Sequence, residues 1–347
     1  MRKSALDNHH VSRLTFQKAH TVDIEKVQIV MHSNQTVYIM GRGYSGSTIL
    51  SSLLGHAPGI HCVGELIFPM KIACGCGDSF DDCVFWQQVR HEFEATTQLP
   101  WEASMQKLRE QAHFKNFPRT FTARAHGEYL QELRTINAGI TAAILTVAGD
   151  ELLLDSSKQP TRALFLMRTQ KKARFLHVVR SPYRYIYSYM QRLKRGKFDF
   201  MRRRLDPDSV GFFTFMLVAF GWLAVNMQCE IVRVLNPKRV MRIRYEDIIE
   251  NPDATMNDIA AFLQYDMTDV SNAIQEREAI PVGHIIGGNA HMREAGVFIF
   301  EPQKGKSVEL PKSYEVMVKL ICWPLMLLYG YPFRRPRTEK SRKAIPA

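Results

Sequence analysis

One short segment constrains the fold of this chain more than any other. The apolar run at residues 36–40 leads directly into GRGYSGST, residues 41–48, and an amphipathic run follows to Leu54. A strand that turns through closely spaced glycines into a helix is typical of phosphate-binding loops, because the first amides of the helix point toward the anion. We expect Gly43 and Gly46 to take positive φ in this turn. The segment predicts an α/β fold with an anion site at the end of its first strand.

The loop has the Walker A spacing G-x-x-x-x-G-K-[ST] except that Ser47 stands where the lysine belongs. The amides of residues 45–48 and the hydroxyls of Ser47 and Thr48 still form an anion cradle. The cation that reaches the β- and γ-phosphates of a nucleoside triphosphate is missing. Asp155 comes nearest to a later metal-binding aspartate. The loop therefore favours a lone terminal phosphate over Mg²⁺ and ATP, and a tight turn that binds nothing is the alternative.

Strand, turn and helix recur four times along the chain. Apolar strands are predicted at residues 36–40, 152–154 and 173–180 and at the start of RVMRIRYEDI, each with a helix behind it. This order predicts a mostly parallel central sheet with helices on both faces. Ligands of such sheets bind at the carboxyl ends of the strands, where GRGYSGST, DSSK, RSPYRYIYS and RYED fall.

The chain is predicted to form one domain over residues 35–333. Residues 1–34 are expected to be a flexible arm, residues 60–126 an irregular, cysteine-containing insertion or lid, and residues 334–347 a basic disordered tail. Residues 212–235 are predicted to be a long buried helix. The apolar stretch 320–333 is shorter than a membrane span, so a packed C-terminal helix is expected. Without an export signal, we expect a soluble cytoplasmic protein with reduced thiols.

The net charge is +12, which favours anionic partners or a solvated basic surface. Residues 192–206 form a basic segment. We expect this segment to be a solvated loop, and a face for an anionic or membrane-associated acceptor is the alternative. No aromatic-interleaved motif indicates nucleic-acid binding.

A second anion site is predicted at HVVRSPYRYIYS. Ser181 can cap the following helix and Pro182 can begin it, which places Arg180 at the end of a strand. Ser188 follows about two helical turns later. The pair could hold a phosphate remote from the first loop. The alternative is a surface arginine paired with a carboxylate.

Four segments, in this order, resemble the sulfotransferases that use 3′-phosphoadenosine 5′-phosphosulfate (PAPS): VYIMGRGYSGSTIL, LLLDSSKQPTRAL, FLHVVRSPYRYIYSYM and VMRIRYEDIIENP. GHIIGGNAHMR is similar to a late loop of the family's bacterial-type branch. The resemblance implies a P-loop-like fold, PAPS as donor and no required metal. It implies that Arg180 and Ser188 hold the 3′-phosphate and that Tyr245 and Arg293 line the nucleotide site. It also implies that the 5′ end of the donor is held by the residues of the first loop: Gly43, Tyr44, Ser45, Gly46, Ser47 and Thr48.

The resemblance also implies transfer of a sulfuryl group to a hydroxyl or amine of a small-molecule, glycan or lipid acceptor. A base must take the acceptor's proton. Glu65 matches the base of some branches, with rivals at His56, His61 and His126. The family usually has Arg or Lys where this chain has Tyr44, so Arg42 or Lys158 is expected to supply that charge. An ATP-dependent small-molecule kinase and a catalytically weak PAPS-binding protein remain alternatives.

Cys74, Cys76 and Cys83 resemble a cysteine cluster of the bacterial-type branch. Their spacing is not that of a zinc ribbon. We expect a structural thiol cluster, and a metal site completed by Cys62 is the alternative.

Overall fold

The computed structural model describes residues 35–67, 73–124, 127–194, 211–302 and 310–333. The predicted arm at 1–34, the predicted tail at 334–347, His126 and residues 195–206 of the basic segment lie outside the described residues.

The centre of the molecule is a sheet of five parallel strands in the order β2-β3-β1-β4-β5. The strands are β1 (Gln35–Gly41), β2 (Ile60–Gly64), β3 (Leu152–Lys158), β4 (Arg174–Val179) and β5 (Val240–Arg244). They read as nearly continuous apolar runs because helices cover both faces. The four predicted strands are confirmed, and β2 is an edge strand that the sequence did not reveal.

Alternate residues of β1 enter two different cores, which shows the three-layer arrangement. Tyr38 and Met40 face one core, and Val37 and Ile39 face the other. The second face is covered by α1 (Ser47–Leu54), α9 (Tyr245–Glu250), α10 (Pro252–Leu263) and α11 (Thr268–Glu276). The first is covered by α2 (Val84–Thr97), α3 (Trp101–Ala112), α4 (Phe117–Thr122), α5 (Glu128–Ala148) and α6 (Pro160–Thr169). The P-loop-like α/β fold is therefore confirmed.

The expectation of an irregular segment over residues 60–126 was wrong. Its first five residues form β2, and α2, α3 and α4 follow. The aromatic residues that looked irregular are spaced to bury one side of each helix, as Trp86, Phe93 and Trp101 are all fully buried. A role for this segment as a lid or acceptor wall stays a prediction.

A third apolar cluster lies where three helices meet: α7 (Pro182–Lys194), α8 (Phe212–Leu235) and α13 (Lys312–Leu328). The packed C-terminal helix is confirmed, because Val318, Cys322 and Leu325 are buried. The prediction of a buried α8 was wrong for its outer side, which leaves large apolar side chains exposed. By length and composition, α8 alone among the described helices could cross a membrane, although its inner side packs in the protein.

A late loop returns to the carboxyl edge of the sheet. The antiparallel strands β6 (Ala279–Pro281) and β7 (Val297–Ile299) flank it, together with α12 (Ala290–Ala295). Ile286 forms a bridge with Gly64 at the end of β2, and the Ile286 amide donates to the Val63 carbonyl at 2.9 Å. The glycine-rich late loop is thereby placed beside Glu65.

Candidate active site

The first loop turns sharply between β1 and α1. Gly41 has φ +148, Tyr44 φ +70 and Gly46 φ +95. The expectation for Gly43 was wrong, since Tyr44 takes the left-handed conformation instead. That conformation costs a residue with a Cβ roughly 1–2 kcal/mol, so neighbouring contacts must hold Tyr44 in place.

Tyr245 explains why position 46 is glycine. A Cβ at Gly46 would clash with the ring, lying 2.7 Å from Tyr245 Cε2. Tyr245 is the first residue after β5, so β5 packs its ring against the loop that follows β1. The predicted nucleotide-site residue Tyr245 and the predicted phosphate loop are therefore in contact.

The loop presents polar groups at the start of α1. Ser45 is buried, and its Oγ has no hydrogen-bond partner among the described residues. Ser47 and Thr48 open α1, where Gly46 offers no side chain to cap the first amides. Unsatisfied donors at a helix N-terminus favour an anion.

Arg180 lies directly after β4 and reaches the first loop. Its Nη1 donates to the Tyr44 carbonyl at 3.1 Å, and its guanidinium carbon lies 4.3 Å from the Tyr245 ring centroid. Nε is buried without a partner, and burial lowers the pKa of the guanidinium. No carboxylate of the described chain lies within ion-pair distance of it. The alternative of a carboxylate-paired arginine is therefore not supported.

Ser188 lies on α7, which begins at Pro182 as predicted. The start of α7 is fixed by Glu246, whose two carboxylate oxygens accept from the Ser181 amide at 3.2 Å and the Tyr331 hydroxyl at 3.0 Å. The residues after β5 and the C-terminal YGYP thus position the helix that carries Ser188.

Glu65 and Lys158 form one ion pair at the carboxyl edge of the sheet. Glu65 follows β2 and Lys158 ends β3, and the ammonium contacts Glu65 Oε1. The Gly288 amide donates to the same oxygen at 2.8 Å. The predicted base and one of the two predicted cations are brought together. The loop-amide contact that a purely structural glutamate would make is present as well.

Arg42 turns away from the loop toward the helices. Its Nε donates to the Tyr185 hydroxyl at 2.9 Å, and a Cβ at Gly221 would lie 3.3 Å from its Nη2. The Tyr44 ring packs edge-on to Tyr189. The guanidinium carbon of Arg192 lies 4.6 Å from the Tyr44 ring centroid. Arg192, the first residue of the basic segment, therefore lies at the loop position that lacks a cation, a placement that the sequence did not predict.

The rival histidines lie elsewhere. His61 is the second residue of β2, and its Nδ1 lies 3.0 Å from Asp150 Oδ2, just before β3 begins. Burial lowers the pKa of His61 despite that carboxylate. His56 Nε2 lies 3.7 Å from Glu278. Because β2 and β3 start at this edge, the His61 pair lies at the opposite end of the strands from Glu65.

Two residues that the sequence singled out, Arg293 and Asp155, make contacts that the sequence did not predict, and the place of Arg293 in the nucleotide site stays a prediction. Arg293 Nη1 donates to the Ala73 carbonyl at 2.7 Å, so its described contact is with the cysteine-containing segment. Asp155 is fully buried, and its carboxylate accepts from Arg162 Nε at 2.8 Å and from the Ser157 amide at 2.9 Å. Its oxygens are therefore already engaged by protein donors.

The comparisons identify the family. The model of the Sulfotransferase family matches residues 36–269 of this chain. The chain belongs to the sulfotransferase family. No curated protein sequence matches it. Family membership supports sulfotransfer in general as the activity of this protein.

Three solved sulfotransferases are similar to this chain at low sequence identity. A sulfotransferase domain from the curacin biosynthetic pathway is 18% identical, with 84% of this chain and 97% of that chain covered and a TM-score of 0.46. A sulfotransferase from Mycobacterium avium is 13% identical, with 89% and 81% covered and a TM-score of 0.47. The sulfotransferase domain of the Synechococcus olefin synthase is 17% identical, with 86% and 95% covered and a TM-score of 0.43.

Proposed function

We propose that this sulfotransferase takes its sulfuryl group from PAPS and transfers it to a hydroxyl or amine, releasing 3′,5′-adenosine bisphosphate. The observation that carries the proposal is Arg180. Its guanidinium is partly desolvated, lacks a carboxylate partner among the described residues and touches the phosphate loop. A buried charge without a counter-ion is costly, and a phosphate would relieve that cost.

The donor would be held at both of its ends. Gly43, Tyr44, Ser45, Gly46, Ser47 and Thr48 surround the 5′ end, where the unpartnered Ser45 hydroxyl and the first amides of α1 are available. Arg180 and Ser188 hold the 3′-phosphate, and Tyr245 supports both Arg180 and the loop. This arrangement needs no lysine at position 47, because the group at the loop is not a triphosphate.

Transfer forms a bond from the acceptor oxygen or nitrogen to sulfur as the bond from sulfur to the phosphate oxygen breaks. The electron pair of the broken bond goes to that phosphate oxygen, and the acceptor's proton goes to Glu65. Lys158 offsets the charge that develops on the leaving phosphate. Because Lys158 and Glu65 form an ion pair beforehand, a shift of the ammonium toward the phosphate would release the carboxylate for its role as base.

Tyr44 calls for a substitute cation, and Arg192 is better placed for that role than Arg42. Arg192 lies over the Tyr44 ring, whereas Arg42 donates to Tyr185. We therefore assign Arg192 and Lys158 to charge neutralisation and keep Arg42 as a support for α7. A preorganised donor of this kind is worth about 10²–10³ in rate.

The two alternatives differ in their support. A kinase needs a carboxylate that binds Mg²⁺. Asp155 is the best match to such an aspartate in the sequence, but its carboxylate forms an ion pair with Arg162 in the core. A catalytically weak PAPS-binding protein is favoured by one observation, namely that Glu65 is already bound by Lys158 and the Gly288 amide.

We also propose that the acceptor is a small molecule, a glycan or a lipid, and that the reaction takes place in the cytoplasm. The basic segment 192–206 would contact an anionic acceptor or surface, although residues 195–206 lie outside the described residues. Nucleic acid is not among the proposed partners.

The proposal is tested by sulfur transfer from labelled PAPS to a panel of phenols, amines, glycans and lipid hydroxyls, with ATP and Mg²⁺ in parallel. A labelled acceptor together with released bisphosphate is expected. ADP formation in its place would favour the kinase. Tight bisphosphate binding without transfer to any acceptor would favour the catalytically weak binding protein.

A further inference from the structure

Three cysteines and one histidine meet beside the active site. The Sγ atoms of Cys74, Cys76 and Cys83 and the Nδ1 of His284 all lie within 4.8 Å of one another. Cys76 Sγ lies 3.7 Å from Cys83 Sγ, and His284 Nδ1 lies 3.3 Å from Cys83 Sγ and 3.8 Å from Cys74 Sγ. Tetrahedral zinc, with bonds of about 2.3 Å to sulfur and about 2.0 Å to nitrogen, places its ligands roughly 3.5–3.8 Å apart. The three distances of 3.3–3.8 Å are close to these values, and the remaining ligand atoms lie within 4.8 Å of one another.

The surrounding residues hold the histidine ring in a fixed orientation. Phe85 stacks on the His284 ring at 4.8 Å with an interplanar angle of 8°. The Trp86 indole donates to the His284 carbonyl at 3.0 Å. A tight turn presents the first two cysteines, because the Cys74 amide donates to the Asp78 carbonyl at 2.8 Å and Gly77 has φ +101.

Cys62, which the sequence suggested as a fourth ligand, is not part of the cluster. Its side chain packs at the end of α1, where a Cβ at Gly55, the residue after the helix, would lie 2.7 Å from Cys62 Cβ. His284, 201 residues after Cys83, takes the fourth place. Spacing along the chain could not reveal a ligand so remote.

We propose that Cys74, Cys76, Cys83 and His284 bind one Zn²⁺ ion in a structural site. Three thiolates and one imidazole complete a tetrahedron and leave no open position, as in structural rather than catalytic zinc sites. Binding would release the thiol protons, and the free energy of metal binding would add to the stability of the folded protein.

The zinc would fix the late loop that contacts Glu65. The Gly75 amide donates to the Ile285 carbonyl at 3.0 Å, and Gly288, four residues after His284, donates to Glu65. One ion would therefore join the cysteine segment, the late loop and the carboxyl edge of the sheet. Only this consequence for Glu65 rests on the proposed function; the zinc site itself does not.

The zinc site is tested by the metal content of protein purified without chelators, measured by plasma mass spectrometry. One zinc per wild-type chain is expected, with loss in Cys83→Ser and His284→Ala. The matched controls Cys62→Ser and His291→Ala should keep it, because Cys62 packs on α1 and His291 is exposed. X-ray absorption of the wild type should show three sulfur ligands and one nitrogen, which needs no variant to fold.

Zinc content equal in all five proteins would mean adventitious binding and would overturn the proposal. A Cys76–Cys83 disulfide in metal-free wild type would overturn it as well. Bisphosphate binding measured on the same samples keeps this outcome separate from failure of the donor assignment.

A second, independent feature is the outer face of α8 and α13, which we call the apolar face. Every exposed residue of α8 is apolar. The two helices pack together through Phe215 and Tyr314, whose ring centroids are 4.3 Å apart. Monomeric proteins rarely expose such a patch without a partner. Its large members are Phe212, Phe213, Leu217, Phe220, Met227, Ile231, Val234, Leu235, Val316, Leu320, Trp323, Leu327 and Leu328.

We infer that the apolar face docks on an anionic membrane surface. The sequence places seven basic residues at 192–206, shortly before α8, and six at 334–347, shortly after α13. Apolar helix faces flanked by basic chain are typical of helices that lie in the interface of anionic membranes. A second copy of this chain would instead bring like charges together. Trp222 and Cys229 are buried in the protein, so α8 would lie on the membrane and not cross it.

Membrane docking is tested by sedimentation with vesicles of phosphatidylcholine, with and without phosphatidylserine. Wild type should bind only the anionic vesicles, and less at high salt. The double variant Phe220→Glu/Leu320→Glu should bind the anionic vesicles at least about tenfold more weakly than wild type. Phe114 is an exposed apolar residue on another surface, so the control Phe114→Glu should bind as wild type does.

Two outcomes would overturn the docking inference. One is failure of folded wild type to bind anionic vesicles. The other is a wild-type dimer in light scattering that the double variant disperses. Circular dichroism of each variant establishes that it is folded.

Discussion

At the scale of single residues, the proposed chemistry of the site depends on the positions of four charged side chains. Arg180, Lys158, Arg192 and Glu65 come from four different parts of the chain, and the structure brings each of them to the carboxyl edge of the sheet or to the first loop. The sequence motifs predicted Arg180, Lys158 and Glu65 as site residues. Arg192 could not be predicted, because its place in the site depends on packing against the Tyr44 ring and not on any spacing along the chain.

Arg192 is expected to carry the charge that family members place at position 44. Arg192→Ala should lower kcat about 10²-fold, because a preorganised cation near the leaving phosphate is lost. Tyr44→Arg in the same background should restore most of the rate. Steady-state kinetics with PAPS measure both, with Arg90→Ala, which breaks a surface ion pair, as the control. Unchanged kcat in Arg192→Ala would contradict this role.

Glu65 is expected to act on the acceptor and not on the donor. Glu65→Gln should lower kcat about 10²–10⁴-fold and leave bisphosphate affinity nearly unchanged. His56→Gln, which alters a rival base paired with Glu278, should keep its activity. Equal losses of donor affinity and rate would instead indicate that Glu65 only positions the late loop.

At the scale of elements, the turn between β1 and α1 contains Gly43 and Gly46, and only position 46 requires glycine. Gly46→Ala should destabilise the protein by about 2 kcal/mol or more and weaken bisphosphate binding, because the new Cβ meets the Tyr245 ring at φ +95. Gly43→Ala is the matched control, since nothing lies within 4 Å of its Cβ and its φ is not positive. Chemical denaturation compares them, and equal stabilities would contradict the description of the loop.

Predictability differed among the elements for physical reasons. The inner strands β1, β3 and β4 were predicted because burial on both faces makes their sequences continuously apolar, and β5 was predicted with them. The edge strand β2 reads IHCVG, too short and too polar at its second position to be distinguished from a loop. The outer side of α8 could not be predicted as exposed, because its apolar sequence is that of a fully buried helix.

At the scale of the whole molecule, a buried polar cluster ties β4, β5 and α8 together. Glu230 on α8 accepts from Arg242 Nη2 on β5 at 2.8 Å and lies 3.3 Å from His177 Nδ1 on β4. Burial alone would raise the pKa of Glu230, but contacts with His177, Arg242 and Arg233 outweigh it and lower the pKa from 4.5 to about 2.

The lowered pKa of Glu230 determines how the stability of the folded protein changes in acid. Stability from Glu230 is full above pH 4.5 and is lost as pH falls toward 2, because the unfolded carboxyl binds its proton first. Over that range we expect a loss of about 1–3 kcal/mol from this group. Glu230→Gln should be less stable at neutral pH and show a flatter decline in acid. Thermal unfolding across pH measures the slope, and identical slopes would contradict the assignment.

Long-range contacts set the limit of what the sequence could predict for the molecule as a whole. The order of motifs indicated the parallel sheet and which loops share its carboxyl edge. The pairing of His284 with three cysteines, and of Gly288 with Glu65, joins segments more than two hundred positions apart. Only folding brings those segments together, so neither contact leaves a local signal.

The proposed function depends above all on the binding of a nucleotide with a 3′-phosphate by Arg180 and the first loop. Titration calorimetry with 3′,5′-adenosine bisphosphate, beside ATP with Mg²⁺, should be carried out on wild type, Arg180→Ala and the control Arg90→Ala. We expect the bisphosphate to bind in preference to ATP, about 10- to 100-fold more weakly in Arg180→Ala and with unchanged affinity in the control. Preference for ATP, or bisphosphate binding that is indifferent to Arg180, would contradict it.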